Sequence, residues 1–96
     1  MAFSIIILPQ ADRDIQHYRV PVQRVIIDGI RLYLSQDADQ ETKRKKPLRP
    51  NPIASWELRI DIYRVFYHVA QQTVTVVAVG HKEHNRLYIR DVEVAL

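Results

Sequence analysis

The sequence predicts an α+β fold, in which an N-terminal strand precedes a helical hairpin packed on a mostly antiparallel sheet of about four strands. Three observations carry this expectation. Apolar residues between positions 10 and 36 recur at intervals of three and four, the spacing of one helix face. Between positions 56 and 79 the chain is rich in β-branched and aromatic residues, in runs separated by two-residue breaks. Residues 3–8 (FSIIIL) form a short, almost continuous apolar run closed by Pro9, which suits a strand buried on both sides.

Each element follows from its own pattern. Residues 10–18 read as a short helix with Ala11, Ile15 and Tyr18 on one stripe, ended or re-aimed by Pro21. Residues 22–36 form a clearer helix, with Val22, Val25, Ile26, Gly29, Ile30, Tyr33 and Leu34 inward. Gly29 costs this helix roughly 1 kcal/mol relative to alanine, which points to close packing against a neighbouring backbone. Residues 37–53 contain three prolines and the run Lys43, Arg44, Lys45, Lys46 with Arg49, and read as a loop long enough to be mobile or functional. Residues 73–79 are a strand ended by Gly80, residues 81–85 a polar turn, and residues 87–96 close the core as either a strand or a helix.

Ninety-six residues make one domain, and an apolar content of 47% in patterned positions is enough for a modest core. No apolar run has the length to span a bilayer, and residues 3–8 are too short and lack the basic flank of a signal peptide. The absence of cysteine excludes disulfides and thiolate metal sites and fits a reducing cytoplasm. The net charge of +3 is unevenly spread: residues 1–42 carry a net −2 and residues 43–96 a net +5. The basic half favours a polyanionic partner such as nucleic acid over a neutral metabolite.

Residues 56–69 form the central hairpin. With Asp61 and Ile62 as a two-residue loop, Ile60 faces Tyr63, Leu58 faces Val65 and Trp56 faces Tyr67, alternating with Arg59 opposite Arg64 and Glu57 opposite Phe66. One face is apolar and takes Trp56 into the core; the other carries two arginines and a carboxylate. Opposed arginines repel, so the arrangement gains if an anion lies between them. Counting on through a turn at Gln71 and Gln72 pairs Tyr67 with Val76 and Arg64 with Val79.

The chemically capable residues are Glu57, Arg59, Arg64, His81, Lys82, His84 and Tyr88, beside the basic loop. There is no aspartate cluster for a two-metal site, no glycine-rich loop for a nucleotide, and the His81/His84 pair lacks further ligands for a metal. What remains suits metal-free phosphodiester cleavage, in which the RNA 2'-hydroxyl is the nucleophile and the protein supplies a base, an acid and cations. No cofactor is expected. Lys43, Arg44, Lys45, Lys46, Arg49, Arg59 and His84 are the candidate RNA contacts, and Phe66, on the arginine face, is the candidate for base stacking.

The order of elements, together with Tyr63-Arg64-Val65 and Tyr67, then Gly80-His81-Lys82 with Asn85, Leu87 and Tyr88, resembles the RelE/ParE superfamily of toxins from toxin-antitoxin pairs. The resemblance covers essentially the whole chain. In the RelE branch it implies a small ribonuclease that enters the ribosomal A site and cuts messenger RNA. It also implies a cognate antitoxin partner, contact with operator DNA only through that antitoxin, and no membrane association. It carries Arg64 over as transition-state stabiliser, Lys82 as the basic residue after the last strand and Tyr88 as the following tyrosine. Lys82 stands where the best-known members have arginine, and Ser55 and Glu57 stand where they have lysines. The general base therefore stays open among Glu57, His81 and Tyr88. The ParE branch implies instead a toxin that binds DNA gyrase without a catalytic set, and a third possibility is a non-catalytic remnant acting only in autorepression with its antitoxin.

Overall fold

The computed structural model describes residues 2–96. Its elements are β1 (Ser4–Ile7), α1 (Pro9–Gln16), α2 (Val20–Leu34), β2 (Lys45–Pro47), β3 (Trp56–Ile60), β4 (Tyr63–Ala70), β5 (Thr73–Glu83), β6 (Arg86–Ile89) and β7 (Val92–Val94). The α+β class, the N-terminal strand and the helical hairpin on an antiparallel sheet are as predicted, but the sheet has seven strands. Six run in the order β2-β3-β4-β5-β6-β7, and β1 lies parallel to the first half of β5. The additional strands are short: β2 comes from the basic loop, β6 and β7 from the last eleven residues. Among the described residues no helix is long and apolar enough to cross a membrane.

Both prolines that seemed to end elements in fact begin them. Pro9 and Pro21 sit in the first turns of α1 and α2, where a missing N–H costs nothing. The helices cover one face of the sheet, over a core of Ile26, Ile30, Leu34, Leu58, Val65, Tyr67, Val74, Val76 and Val79. Strand β1 is not buried on both sides: Ser4 and Ile6 are exposed because no layer covers that side of the sheet there. Gly29 does mark a close approach, although the neighbour is a side chain: a Cβ there would lie inside contact distance of Ile60 Cδ1. Against the other face of the sheet packs a second, smaller apolar cluster of Ala54, Phe66 and Leu87, with Leu48, Ile53 and Val94. The segment beneath it is held by Asn51, whose Oδ1 accepts the N–H groups of Ile53 and Ala54 at 2.7 and 3.0 Å.

The hairpin of β3 and β4 has the predicted register at every pair, from Trp56↔Tyr67 to Ile60↔Tyr63. Its loop accommodates Asp61 at φ 54°. Pairing of β4 with β5 begins as predicted, Ala70↔Thr73 through Tyr67↔Val76, and then slips: Phe66 faces Ala78, Val65 faces Val79 and Arg64 faces Gly80 rather than Val79. Val77 is the extra residue of a β-bulge. Helix α1 satisfies the backbone groups that the bulge releases. The Gln10 amide donates to the Val77 carbonyl at 3.0 Å, and Asp14 Oδ2 accepts the Val79 N–H at 3.0 Å.

Gly80 therefore does not end its strand, which continues to Glu83. Its role is steric, since a Cβ there would run into the Tyr88 carbonyl oxygen of β6 and crowd Ile89 Cγ1 at 3.0 Å. Backbone cannot swing aside as a side chain can. Gly80→Ala is expected to cost about 2–3 kcal/mol, read as a shift in the urea midpoint with unchanged slope.

Candidate functional site

Directly opposed residues in an antiparallel sheet share a face. On the face away from the helices the strand pairs give one row of Lys46, Glu57, Phe66 and Ala78, and a second of Arg59, Arg64 and Gly80. Lys82, paired with Leu87, lies on this same face. On the helix side, Tyr63, His81 and Tyr88 form a row across β4, β5 and β6. The sequence-derived constellation is thus divided. Arg59, Arg64, Lys82 and Glu57 belong to one face; His81 and Tyr88 belong to the other.

Arg64 is the most constrained of the cations. Its Nη1 donates to the carbonyls of Asp61 and Tyr63 at 2.8 and 3.0 Å, folding the guanidinium back over the β3–β4 turn. Its Nε is buried and has no hydrogen-bond partner among the described residues. Burial, more than the nearby Arg59 charge, lowers the Arg64 guanidinium below its ordinary range, while Glu57 and Asp61 pull the other way. A half-buried cation already fixed by two carbonyls is preorganised for an incoming anion.

Glu57 is buried, and Arg59 Nε meets its Oε2 at 2.8 Å. Arg59 thus spends its Nε on a salt bridge along its own strand. It leaves Glu57 poorly placed to accept a proton from a substrate, since the carboxylate is both covered and already hydrogen-bonded. Phe66, expected to stack on bases, is completely buried in the second apolar cluster. That expectation is corrected: segment 48–54 and Leu87 cover the ring, which sequence alternation alone places at the surface.

Part of the basic run is built into the sheet rather than lying in a loop. Thr42 Oγ1 accepts the N–H groups of Arg44 and Lys45 at 3.2 and 3.0 Å, and Lys45–Pro47 pairs with β3. Lys45 points to the helix side, is buried, and donates its ammonium to the Asp37 carbonyl at 2.7 Å. It is withdrawn from the RNA contacts, because its charge is spent on bracing the chain. Arg44 lies over the Tyr33 ring at 4.7 Å, and Lys46 approaches Glu41 at 3.5 Å. Lys43, Arg49 and His84 are exposed, the last in the β5–β6 turn at φ 50°.

His81 is buried on the helix side. Its Nδ1 is 2.7 Å from the Tyr18 hydroxyl and its Nε2 is 3.1 Å from Glu83 Oε2, while its ring stacks on Tyr88 with centroids 5.7 Å apart. Among the described residues no group of three or more His, Asp or Glu side chains is gathered closely enough to hold a metal ion.

The family model of the ParE toxin of type II toxin-antitoxin systems, parDE, matches residues 5–86. The chain belongs to this family of toxins. No curated protein matches this family member in sequence. Its fold is similar to three solved structures. The first is the RelBE2 toxin-antitoxin complex of Mycobacterium tuberculosis, at 20% identity and TM-score 0.70, covering 85% of this chain and all of the matched one. The second is the archaeal RelE-RelB complex of Pyrococcus horikoshii, at 16% identity and TM-score 0.68, covering 88% and 99%. The third is the YoeB-YefM complex of Staphylococcus aureus, at 17% identity and TM-score 0.62, covering 86% and 100%. At these identities the likeness is one of fold.

Sequence reasoning missed three polar residues of this ParE-family chain: Tyr18, Glu83 and Asp14. The first two became visible only when β5 was found to run past Gly80. Asp14 lies on α1 beneath the bulge and is buried, with Arg90 Nε 2.7 Å from its Oδ1. Its exposed neighbours Asp12 and Arg13 gave no hint that this one carboxylate turns inward. Burial raises the Asp14 carboxyl above its ordinary 3.8, against the lowering pull of the Val79 N–H and Arg90. The folded state then holds the proton more tightly than the unfolded chain, so this group favours folding most at low pH and less as pH rises through the folded value. Asp14→Asn keeps an acceptor for Val79 without the charge. Its stability relative to wild type is expected to improve as pH is raised from acid to neutral, measured by urea unfolding across that range.

Proposed function

We propose that this toxin is a ribosome-dependent endoribonuclease that cleaves messenger RNA by attack of the 2'-hydroxyl on the adjacent phosphate, without a metal ion. The observation that carries this reading is Arg64, a half-buried guanidinium fixed by the Asp61 and Tyr63 carbonyls on a face that also bears Arg59, Lys46 and Lys82. Arg64 stabilises the pentacoordinate phosphate, the step at which fixed donors count most. Lys82 adds a point charge from the same face. Arg59, Lys46 and the exposed Lys43, Arg44 and Arg49 hold the flanking backbone. With Glu57 committed to Arg59 and both His81 nitrogens hydrogen-bonded, proton transfer falls to Lys82 and Tyr88 of the β5–β6 hairpin, which lie on opposite faces. The matched structures are toxin-antitoxin complexes, which supports a cognate antitoxin as the protein partner here.

One observation favours a second reading, in which the chain binds DNA gyrase and performs no chemistry: Arg59, Arg64 and Lys82 lie on one face of the sheet and His81 and Tyr88 on the other. Inducing the chain without antitoxin, while mapping new messenger 5' ends and the state of the chromosome, separates the two. Codon-phased ends that vanish with Arg64→Ala support the ribonuclease. Broken or unreplicated chromosomes with intact messages overturn it.

A further inference from the structure

Tyr18, His81 and Glu83 lie 63 and two residues apart in sequence, yet their polar atoms form a single line: Tyr18 Oη to His81 Nδ1 at 2.7 Å, and His81 Nε2 to Glu83 Oε2 at 3.1 Å. The direction of this line follows from what each group can do. A neutral imidazole has one donor nitrogen and one acceptor. If Nδ1 carried the hydrogen, the Nε2 lone pair would face the Glu83 carboxylate, two acceptors opposed at 3.1 Å. In the neutral ring the hydrogen therefore belongs on Nε2, donated to Glu83, and Nδ1 accepts from the Tyr18 hydroxyl. Burial raises that phenol above its ordinary value, so it keeps the proton that it donates.

The rings around this line leave little freedom. Tyr18 meets Tyr63 and His81 edge-on, with centroids 5.4 and 5.6 Å apart. The His81 ring lies nearly parallel to Tyr88, at 22°. A ring fixed at both nitrogens is a rigid platform, whereas an unanchored imidazole turns about its χ2 axis.

We propose that Tyr18 and Glu83 are positioning residues for Tyr88: they hold the His81 ring in one tautomer and one orientation, and Tyr88 is aligned by stacking on it. His81 is then a strut, with neither nitrogen open to substrate. The catalytic consequence rests on the ribonuclease reading; the tautomer does not.

The test is nitrogen-15 NMR of the histidine rings in the intact chain at neutral pH, on wild type and on Tyr18→Phe, which keeps the ring packing and removes only the hydroxyl. The expected wild-type signature is a protonated Nε2 and an unprotonated Nδ1. In Tyr18→Phe the Nδ1 signal is expected to move toward that of a free imidazole and the Tyr88 ring-proton shifts to change. Glu83→Ala should disturb Nε2, and Glu83→Gln, still an acceptor, should restore it. If cleavage is present, Tyr18→Phe should lower kcat about tenfold with KM unchanged, as expected when alignment alone is lost. A protonated Nδ1 in wild type, or Tyr88 shifts indifferent to Tyr18→Phe, overturns the proposal. The predicted tautomer in a chain that cuts no message would leave the strut standing and sink the ribonuclease reading alone.

Discussion

Arg64→Ala is expected to lower cleavage of ribosome-bound message by about 100- to 1,000-fold, the scale of losing one preorganised donor to a developing oxyanion. The fold should survive the change. The substitution gives up two hydrogen bonds to the Asp61 and Tyr63 carbonyls, yet it also removes a desolvated charge set opposite Arg59. Those effects oppose one another, so stability should move by no more than about 1 kcal/mol. Arg64→Lys tests the geometry: it restores the charge without the planar fork and should remain strongly impaired. Primer extension on a defined message with purified ribosomes gives the rates, and urea unfolding gives the stability. Wild-type cutting by Arg64→Ala would remove this residue from the transition state.

Phe66→Ala is expected to cost about 3–5 kcal/mol, because the ring is wholly enclosed by Ala54, Leu87 and their neighbours. For a chain of this length that corresponds to a fall in Tm of roughly 12–30 °C. Phe66→Leu should lose less than about 1.5 kcal/mol and leave nucleic-acid binding unchanged. The opposite pattern, full stability with weakened RNA binding, would return Phe66 to the surface role that alternation suggested.

The two arginines and the bulky partners of the β3–β4 hairpin were legible because alternation and a two-residue loop leave no freedom in the count. The helices were legible from their stripes, but their starts were not. Pro9 and Pro21 are compatible with the end of one element and the beginning of the next, and only packing decides. The fate of Phe66 and Lys45 was hidden for a different reason. Each lies in a strand whose outer neighbours, segment 48–54 and the stretch around Asp37, come from loops that carry no periodic signal. The bulge at Val77 was invisible too, since in the run VTVVAVG every residue fits either face. Its anchors, Gln10 and Asp14, sit more than sixty residues away.

That one extra residue bears on how roles are transferred between relatives. Before it, the even-numbered Val74 and Val76 face the helices; after it, the odd-numbered Val79 and His81 do. A homologue that lacks the extra residue and pairs straight through would keep its counterparts of Gly80, His81 and Lys82 on the faces they have here, although its spacing is one residue shorter. A homologue with the same spacing and no bulge would carry the same motif to the opposite faces. The spacing between the second tyrosine of Y-R-V-x-Y and the glycine of G-H-K, read together with whether the strand bulges, is therefore a better guide to a relative's chemistry than either motif alone.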